Sequence, residues 1–197
     1  MPAPEFLEGA GFRRFTINEY HQMIRDGILI DGEAVELLEG WMVKKMSRGT
    51  PHDAVVQALF KRLLRLAPTG WDVRGQSAVT LGGDSEPESD FTFVKGDESA
   101  YRDRHPGPAD IGLVVEVSSS SLRVDRTGKG RIYAHNGIPV YWVVNVVDKV
   151  IEVYTQPTDT SPAAAYATRN DYPVGTAAPV VLDGNTVGTI TVAEVFG

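Results

Sequence analysis

The 197-residue chain contains no cysteine. Disulfides and thiolate metal sites are thereby excluded, and the composition suits a reducing compartment such as the cytoplasm. Long apolar runs are also missing, and no stretch approaches the roughly 18 residues needed to span a bilayer. The opening Met1-Pro2-Ala3-Pro4-Glu5 lacks a basic region followed by an apolar one, so no secretory signal is expected. Positive charge is scarce, with 19 Lys and Arg against 26 Asp and Glu and a formal charge of −7. That balance argues against avid nonspecific binding to nucleic acid, which usually relies on a basic patch. It leaves DNA chemistry open, because a cluster of catalytic carboxylates itself makes a protein acidic.

Familiar signatures are absent too. Gly128-Lys129 is no phosphate loop, since no Gly stands five residues before Gly128 and Gly130 follows the lysine. The chain holds no H-E-x-x-H, G-x-S-x-G or G-x-G-x-x-G. Asp84, Glu86, Glu88 and Asp90 resemble a calcium loop only superficially: the sixth position is Ser89, not Gly, and the twelfth is Lys95, not Glu. Asp84 and Glu86 are therefore expected to be solvated loop charges.

What is present is an alternation of helical and extended patterns. Residues 1–14 are expected to form a flexible leader and residues 15–197 one domain. Thr16 and Glu19 make a capping box opening a helix to about Asp26, and Asp31-Gly32 signals a turn. Ala34–Leu38 and Trp41–Met46 pattern as strands joined at Glu39-Gly40. Thr50-Pro51 opens a helix whose Val55, Val56, Leu59, Phe60, Leu63 and Leu64 share one face. Strands follow at Trp71–Leu81 and Asp90–Val94, then a polar loop over 96–109. The run Ile111-Gly112-Leu113-Val114-Val115-Glu116-Val117 has the pattern of a strand buried on both faces. A helix is predicted from about Leu122 to His135, closed by Asn136-Gly137. A hairpin of Val140–Val147 with Val150–Tyr154 comes next, then a loop over Gln156–Ala165. Short antiparallel strands turning at Asp183-Gly184 end in a helical turn capped by Thr191 and Glu194. This order predicts an α/β fold, a mixed sheet flanked by helices with additional antiparallel strands at the C-terminus.

The chemistry centres on Glu116. An ionised carboxylate on a doubly buried strand is costly unless it is paired, neutralised or bound to a metal. The plain alternative is an ion pair with Arg123, Arg126 or Arg131. Asp90 opens an alternating strand that can bring it beside Glu116. Mg²⁺ takes oxygen ligands, often one or two carboxylates plus water and phosphate oxygens. Asp90 and Glu116 would supply two of these, and a main-chain carbonyl near Val117 a third. Such an ion polarises a phosphate and lowers the pKa of bound water, while Lys129 could stabilise developing negative charge. Glu36 is a candidate third acid, with Glu39 as its competitor. His52, in the first turn of its helix, is either a bystander or a base.

Six segments together resemble a known family. They are Val35-Glu36-Leu37-Leu38-Glu39-Gly40, Pro51-His52, Ser85-Glu86-Pro87-Glu88-Ser89-Asp90, Val114-Val115-Glu116-Val117-Ser118, Asp125-Arg126 followed by Lys129, and the ten residues Tyr133 to Trp142. The chain is similar in these to the Uma-two family of restriction-endonuclease-like proteins. The last string, Y-A-x-x-G-I-P-x-Y-W, is the most specific part. The resemblance implies the PD-(D/E)XK nuclease core, with Glu36, Asp90 and Glu116 at motif positions and His52 at a recurrent histidine. The lysine often found two residues after the Glu is replaced by Ser118, and Lys129 on the helix takes its part. Three positions depart from the pattern: Ser89 in place of Pro, Asn145 in place of Asp, and Gly130 in place of an apolar residue. The implied function is an endonuclease using Mg²⁺ (or Mn²⁺) on DNA. The implied partners are DNA, no membrane, and at most a second copy in a homodimer. The competing expectation is a catalytically inactive binding or regulatory module on the same fold.

Overall fold

A computed structural model describes residues 11–30, 33–46, 49–159 and 163–197. Its elements are α1 (Ile17–Arg25), β1 (Val35–Leu38), β2 (Trp41–Lys44), α2 (Thr50–Leu66), β3 (Trp71–Ala78), β4 (Glu88–Lys95) and β5 (Ile111–Ser118). There follow α3 (Leu122–Val124), a π-helical turn (Asp125–Lys129), α4 (Gly130–His135), β6 (Val140–Asn145) and β7 (Val150–Thr158). β8 (Ala165–Pro173), β9 (Ala177–Leu182), β10 (Asn185–Thr191) and α5 (Ala193–Phe196) complete the order.

Strands β3 to β8 form one six-stranded sheet in sequence order. Every neighbouring pair is antiparallel except β5 and β6, which are parallel. Parallel neighbours need a crossover, and the helical segment 122–135 provides it. Residues 113, 115 and 117 of β5 point to one face, where they join Phe91, Phe93, Trp142 and Val144. Val55, Val56, Leu59 and Leu63 of α2 cover that face together with Val180, Leu182 and Ile190 of the β9–β10 hairpin. Leu59 and Leu63 are fully buried, so truncating either to Ala should cost about 2–5 kcal/mol. Val114 lies on the opposite face with Tyr141 and Val143, under Ile132 and Tyr133 of α4. The protein is thus an α/β sandwich with a mixed sheet between helices and an added C-terminal hairpin. Among the described residues no helix is long and apolar enough to cross a membrane.

Local signals explain much of this. The Thr16–Glu19 capping box forms in both directions, at 3.2 and 2.9 Å. Glu39 and Gly40 carry φ of 50° and 78°, the paired left-handed conformation of a two-residue hairpin turn. Gly40 is also needed for space, because a Cβ there would lie 2.5 Å from that of Arg14.

Several expectations are corrected. β7 runs on to Thr158 and pairs with β8 from Ala165, so most of the expected Gln156–Ala165 loop is the end of a long hairpin. Backbone pairing overrides the weak β-propensity of its Pro, Thr and Ala. The last helical turn has no side-chain cap; Glu194 instead meets Arg62 at 3.1 Å. Glu86 is not a solvated loop charge: it is 5% exposed and accepts from Thr80 Oγ1 at 2.8 Å, with His21 Nε2 also at 2.8 Å. The expected Asp31-Gly32 turn and residues 1–10 of the expected leader lie outside the described residues. Within 11–14, Phe12 and Arg14 both pack against Trp41.

Candidate active site

The register of β4 on β5 pairs Phe91 with Val115 and Thr92 with Val114. Continuing that ladder by one step sets Asp90 beside Glu116, on the face that α4 covers. Asp90 Oδ2 accepts the Val117 N–H at 2.8 Å, which fixes the carboxyl at the end of β5. His52, buried in the first turn of α2, brings Nε2 to 3.7 Å from the same oxygen.

The crossover segment carries the cation. Asp125, Lys129 and Tyr133 are spaced i, i+4, i+8. In an uninterrupted α-helix each such step drifts by roughly 40°. The π-helical turn is wider than an α turn, so it offsets this drift and keeps the three side chains on one stripe. Its closing bond runs from the Gly130 N–H to the Asp125 carbonyl, which also accepts from Tyr141 Oη at 3.1 Å. A Cβ on Gly130 would lie 3.3 Å from that carbonyl and 3.6 Å from the Tyr141 ring. The glycine is therefore a packing requirement here, set against its weak helix propensity.

Lys129 Nζ lies 3.0 Å from Glu36 Oε2 and donates to Glu116 Oε1 at 3.1 Å. Tyr133 Oη donates to the same Glu116 oxygen at 2.7 Å. Both bonds fall on Oε1, which leaves Oε2 for the cleft that Glu116 lines. Asp125 accepts from Ser118 Oγ at 2.6 Å. Glu36 also accepts the Glu88 N–H at 3.1 Å. Glu36, Asp90, Glu116 and Asp125 are each no more than 5% exposed.

Four buried acids thus surround one lysine. Burial pushes the Glu116 carboxyl well above its usual range; Lys129 opposes this, and Asp125, Asp90 and Glu36 reinforce it. Burial likewise raises Asp125, against the pull of Lys129 and Ser118. Burial alone would depress the Lys129 ammonium, but Glu116, Glu36 and Asp125 outweigh it and hold the lysine charged. Burial, then the charge of Glu116, raises the Tyr133 phenol, so it remains a hydrogen-bond donor. The site has an excess of negative charge that a proton or a cation would relieve.

One cleft is lined by Glu36, His52, Asp90, Glu116, Val117 and Lys129, all six singled out from the sequence. Glu39 is elsewhere, ion-paired with Arg131. Arg126 pairs with Glu152, so neither arginine neutralises Glu116. Sequence reasoning missed Asp125 and Tyr133 as parts of the site; their i, i+4, i+8 spacing with Lys129 was the available signal. Among the described residues no group of three or more His, Asp or Glu side chains is arranged to hold a metal ion alone. The donors that do converge are hard oxygens, two carboxylates with a main-chain carbonyl beside them, which fits a cation completed by water and substrate oxygens.

Comparisons agree with this architecture. The model of the Uma2 family, described as "Putative restriction endonuclease", matches residues 17–182. No curated protein matches the chain in sequence. A crystal structure of a "putative nuclease belonging to DUF820" from Anabaena variabilis is similar in fold, with a TM-score of 0.64 at 13% identity. That similarity covers 92% of this chain and 97% of the other.

Proposed function

This chain belongs to the Uma2 family, and on that premise we propose that it is a metal-dependent endonuclease hydrolysing phosphodiester bonds of DNA. The family description and the nuclease-like neighbour support a nuclease-like function in general. The observation that carries the finer reading is the charge excess: four buried acids around one lysine in a cleft at the end of β5. A purely structural cluster of this kind would have its charges matched.

Asp90 and Glu116, with the Val117 carbonyl, are the residues that would hold Mg²⁺ or Mn²⁺. When bound, such an ion polarises the scissile phosphate and acidifies a bound water. Lys129, fixed by Glu36, offers a positive charge to the oxygens that become more negative as the P–O bond breaks. Tyr133 orients Glu116 through Oε1. His52 is positioned through Asp90 to accept the proton released by the attacking water.

The test is cleavage of plasmid and linear DNA in Mg²⁺ or Mn²⁺, with and without chelator. Activity should vanish with chelator and fall in folded Glu116→Gln by at least the roughly hundredfold that loss of a supporting residue can cost a metal site. Undiminished cleavage by the Gln variant would overturn the mechanism. DNA binding without cleavage in any metal would favour the binding-module alternative.

A further inference from the structure

A second cavity gathers positive charge in this otherwise acidic protein. Arg74 of β3, Arg102, Arg104 and His105 from the loop after β4, and His21 of α1 line it, and Asp103 is the one acid in its wall. The guanidiniums of Arg74 and Arg104 stand 5.4 and 5.1 Å from the centroid of the buried Tyr101 ring. Arg104 is held by Asp110 through two bonds, at 2.6 and 3.1 Å. Arg74 is different: among the described residues its buried Nε has no hydrogen-bond acceptor. A cation partly desolvated against an aromatic ring, with no carboxylate bonded to it, favours an anion at its exposed edge.

The cavity is continuous with the candidate active site. His21 and His105 also line an adjoining cavity with Lys45 and Glu88, and Lys45 and Glu88 in turn line the carboxylate cleft. The acids along this path are largely matched. Glu86 meets His21 and Thr80, each at 2.8 Å, and Glu88 meets Lys45 at 2.7 Å. Glu33 remains at the rim.

We infer that the Arg74–Arg102 pocket binds a backbone phosphate of the nucleic-acid strand whose scissile phosphate enters the carboxylate cleft. This rests on the nuclease reading. It answers a problem that reading creates, since a cleft of four acids in a chain of charge −7 repels a polyanion before any metal arrives. Affinity must then come from phosphate contacts outside the cleft, and such contacts position a strand without reading its sequence.

The experiment is fluorescence anisotropy of a labelled DNA duplex with the full chain in chelator, at several salt concentrations, so that binding is measured apart from cleavage. Arg74→Gln with Arg102→Gln should weaken binding roughly tenfold at fixed salt and flatten the log–log salt dependence by about 2, one for each phosphate contact. Arg74→Lys with Arg102→Lys should restore most of both, because the charge and much of the packing stem return. Unchanged affinity and slope in the Gln variant, or no saturable DNA binding by the unmodified chain, would overturn the inference. So would calorimetry in which the Gln pair loses inorganic phosphate but keeps its DNA affinity, since the pocket would then be a receptor for free phosphate. DNA bound through these arginines but never cut would sink the nuclease reading alone. Cleavage with no dependence of binding on the arginines would sink the pocket alone.

Discussion

Glu116 and Glu152 are two buried glutamates on one face of one sheet, separated by strand β6, and their surroundings are opposite. Glu152 is fully buried and fully answered. Arg126 Nε donates to its two oxygens at 3.2 and 3.0 Å, Tyr154 Oη donates at 2.8 Å, Asn145 Nδ2 at 3.2 Å, and Arg169 stands 3.4 Å away. Glu116 shares one lysine with Glu36 and lies in the field of Asp90 and Asp125. The arginine network behaves as structure: its charges cancel inside the fold. The lysine cluster keeps an excess of negative charge facing a cleft, and that difference separates a site from a buried ion pair better than burial does.

The comparison can be broken first at Lys129. Lys129→Met should lower metal-dependent cleavage by about a hundredfold or more, the usual effect of removing one transition-state charge stabiliser. Steady-state rates on a DNA substrate, with circular dichroism as a folding control, measure this. Retained activity would make Lys129 a structural counter-ion like Arg126.

Glu152→Ala should do the reverse. It strands Arg126 and Arg169 and leaves Tyr154 and Asn145 short of an acceptor. Breaking a buried pair typically costs about 3–5 kcal/mol, but Arg126 is partly exposed and can turn to water, so about 2 kcal/mol is expected here. For a chain of this length that lowers the melting temperature by about 4–8 °C. Cleavage per folded molecule should change little. A large loss of activity at unchanged stability would show that the arginine network also serves the site through the π-helical turn.

The smallest effect is on pH dependence. Glu116 has its folded pKa raised, first by burial, so between its unfolded and folded values the folded state binds the extra proton. Its contribution is present below the unfolded value and is lost as pH rises through the folded one. In chelator, stability should therefore fall as pH increases from about 5 toward 8, by at most about 1.4 kcal/mol per unit for one such group. Denaturant titrations at several pH values would measure the slope, and Glu116→Gln should flatten it. A slope of the opposite sign would mean that Lys129 fully neutralises the cluster.

Much of this was legible in the chain because its signals are local. An acid in an apolar run marked Glu116, the capping box marked α1, and Glu39-Gly40 marked the first hairpin. The strand order and mixed sheet followed from the alternation of patterns. What escaped depends on contacts far apart in sequence. Glu86 looks solvated until His21 of α1, 65 residues earlier, is folded against it. Gly130 looks like a defect until the Tyr141 ring is seen beside it. The predicted packing face of the crossover helix was imperfect because the π-helical turn shifts the phase, and only then do Asp125, Lys129 and Tyr133 align. The end of β7 was hidden by residues of poor strand propensity that β8 pairs regardless.

The central claim is that the charge excess around Glu116 exists to hold a divalent cation. Titration of the full chain with Mn²⁺, followed by electron paramagnetic resonance of the free ion, tests it without any substrate. The account predicts saturable binding in the unmodified chain, competed by Mg²⁺, lost in Asp90→Asn and Glu116→Gln and retained in Glu152→Gln. Saturable binding that survives both Asp90→Asn and Glu116→Gln, or no binding at all in the unmodified chain, would contradict it.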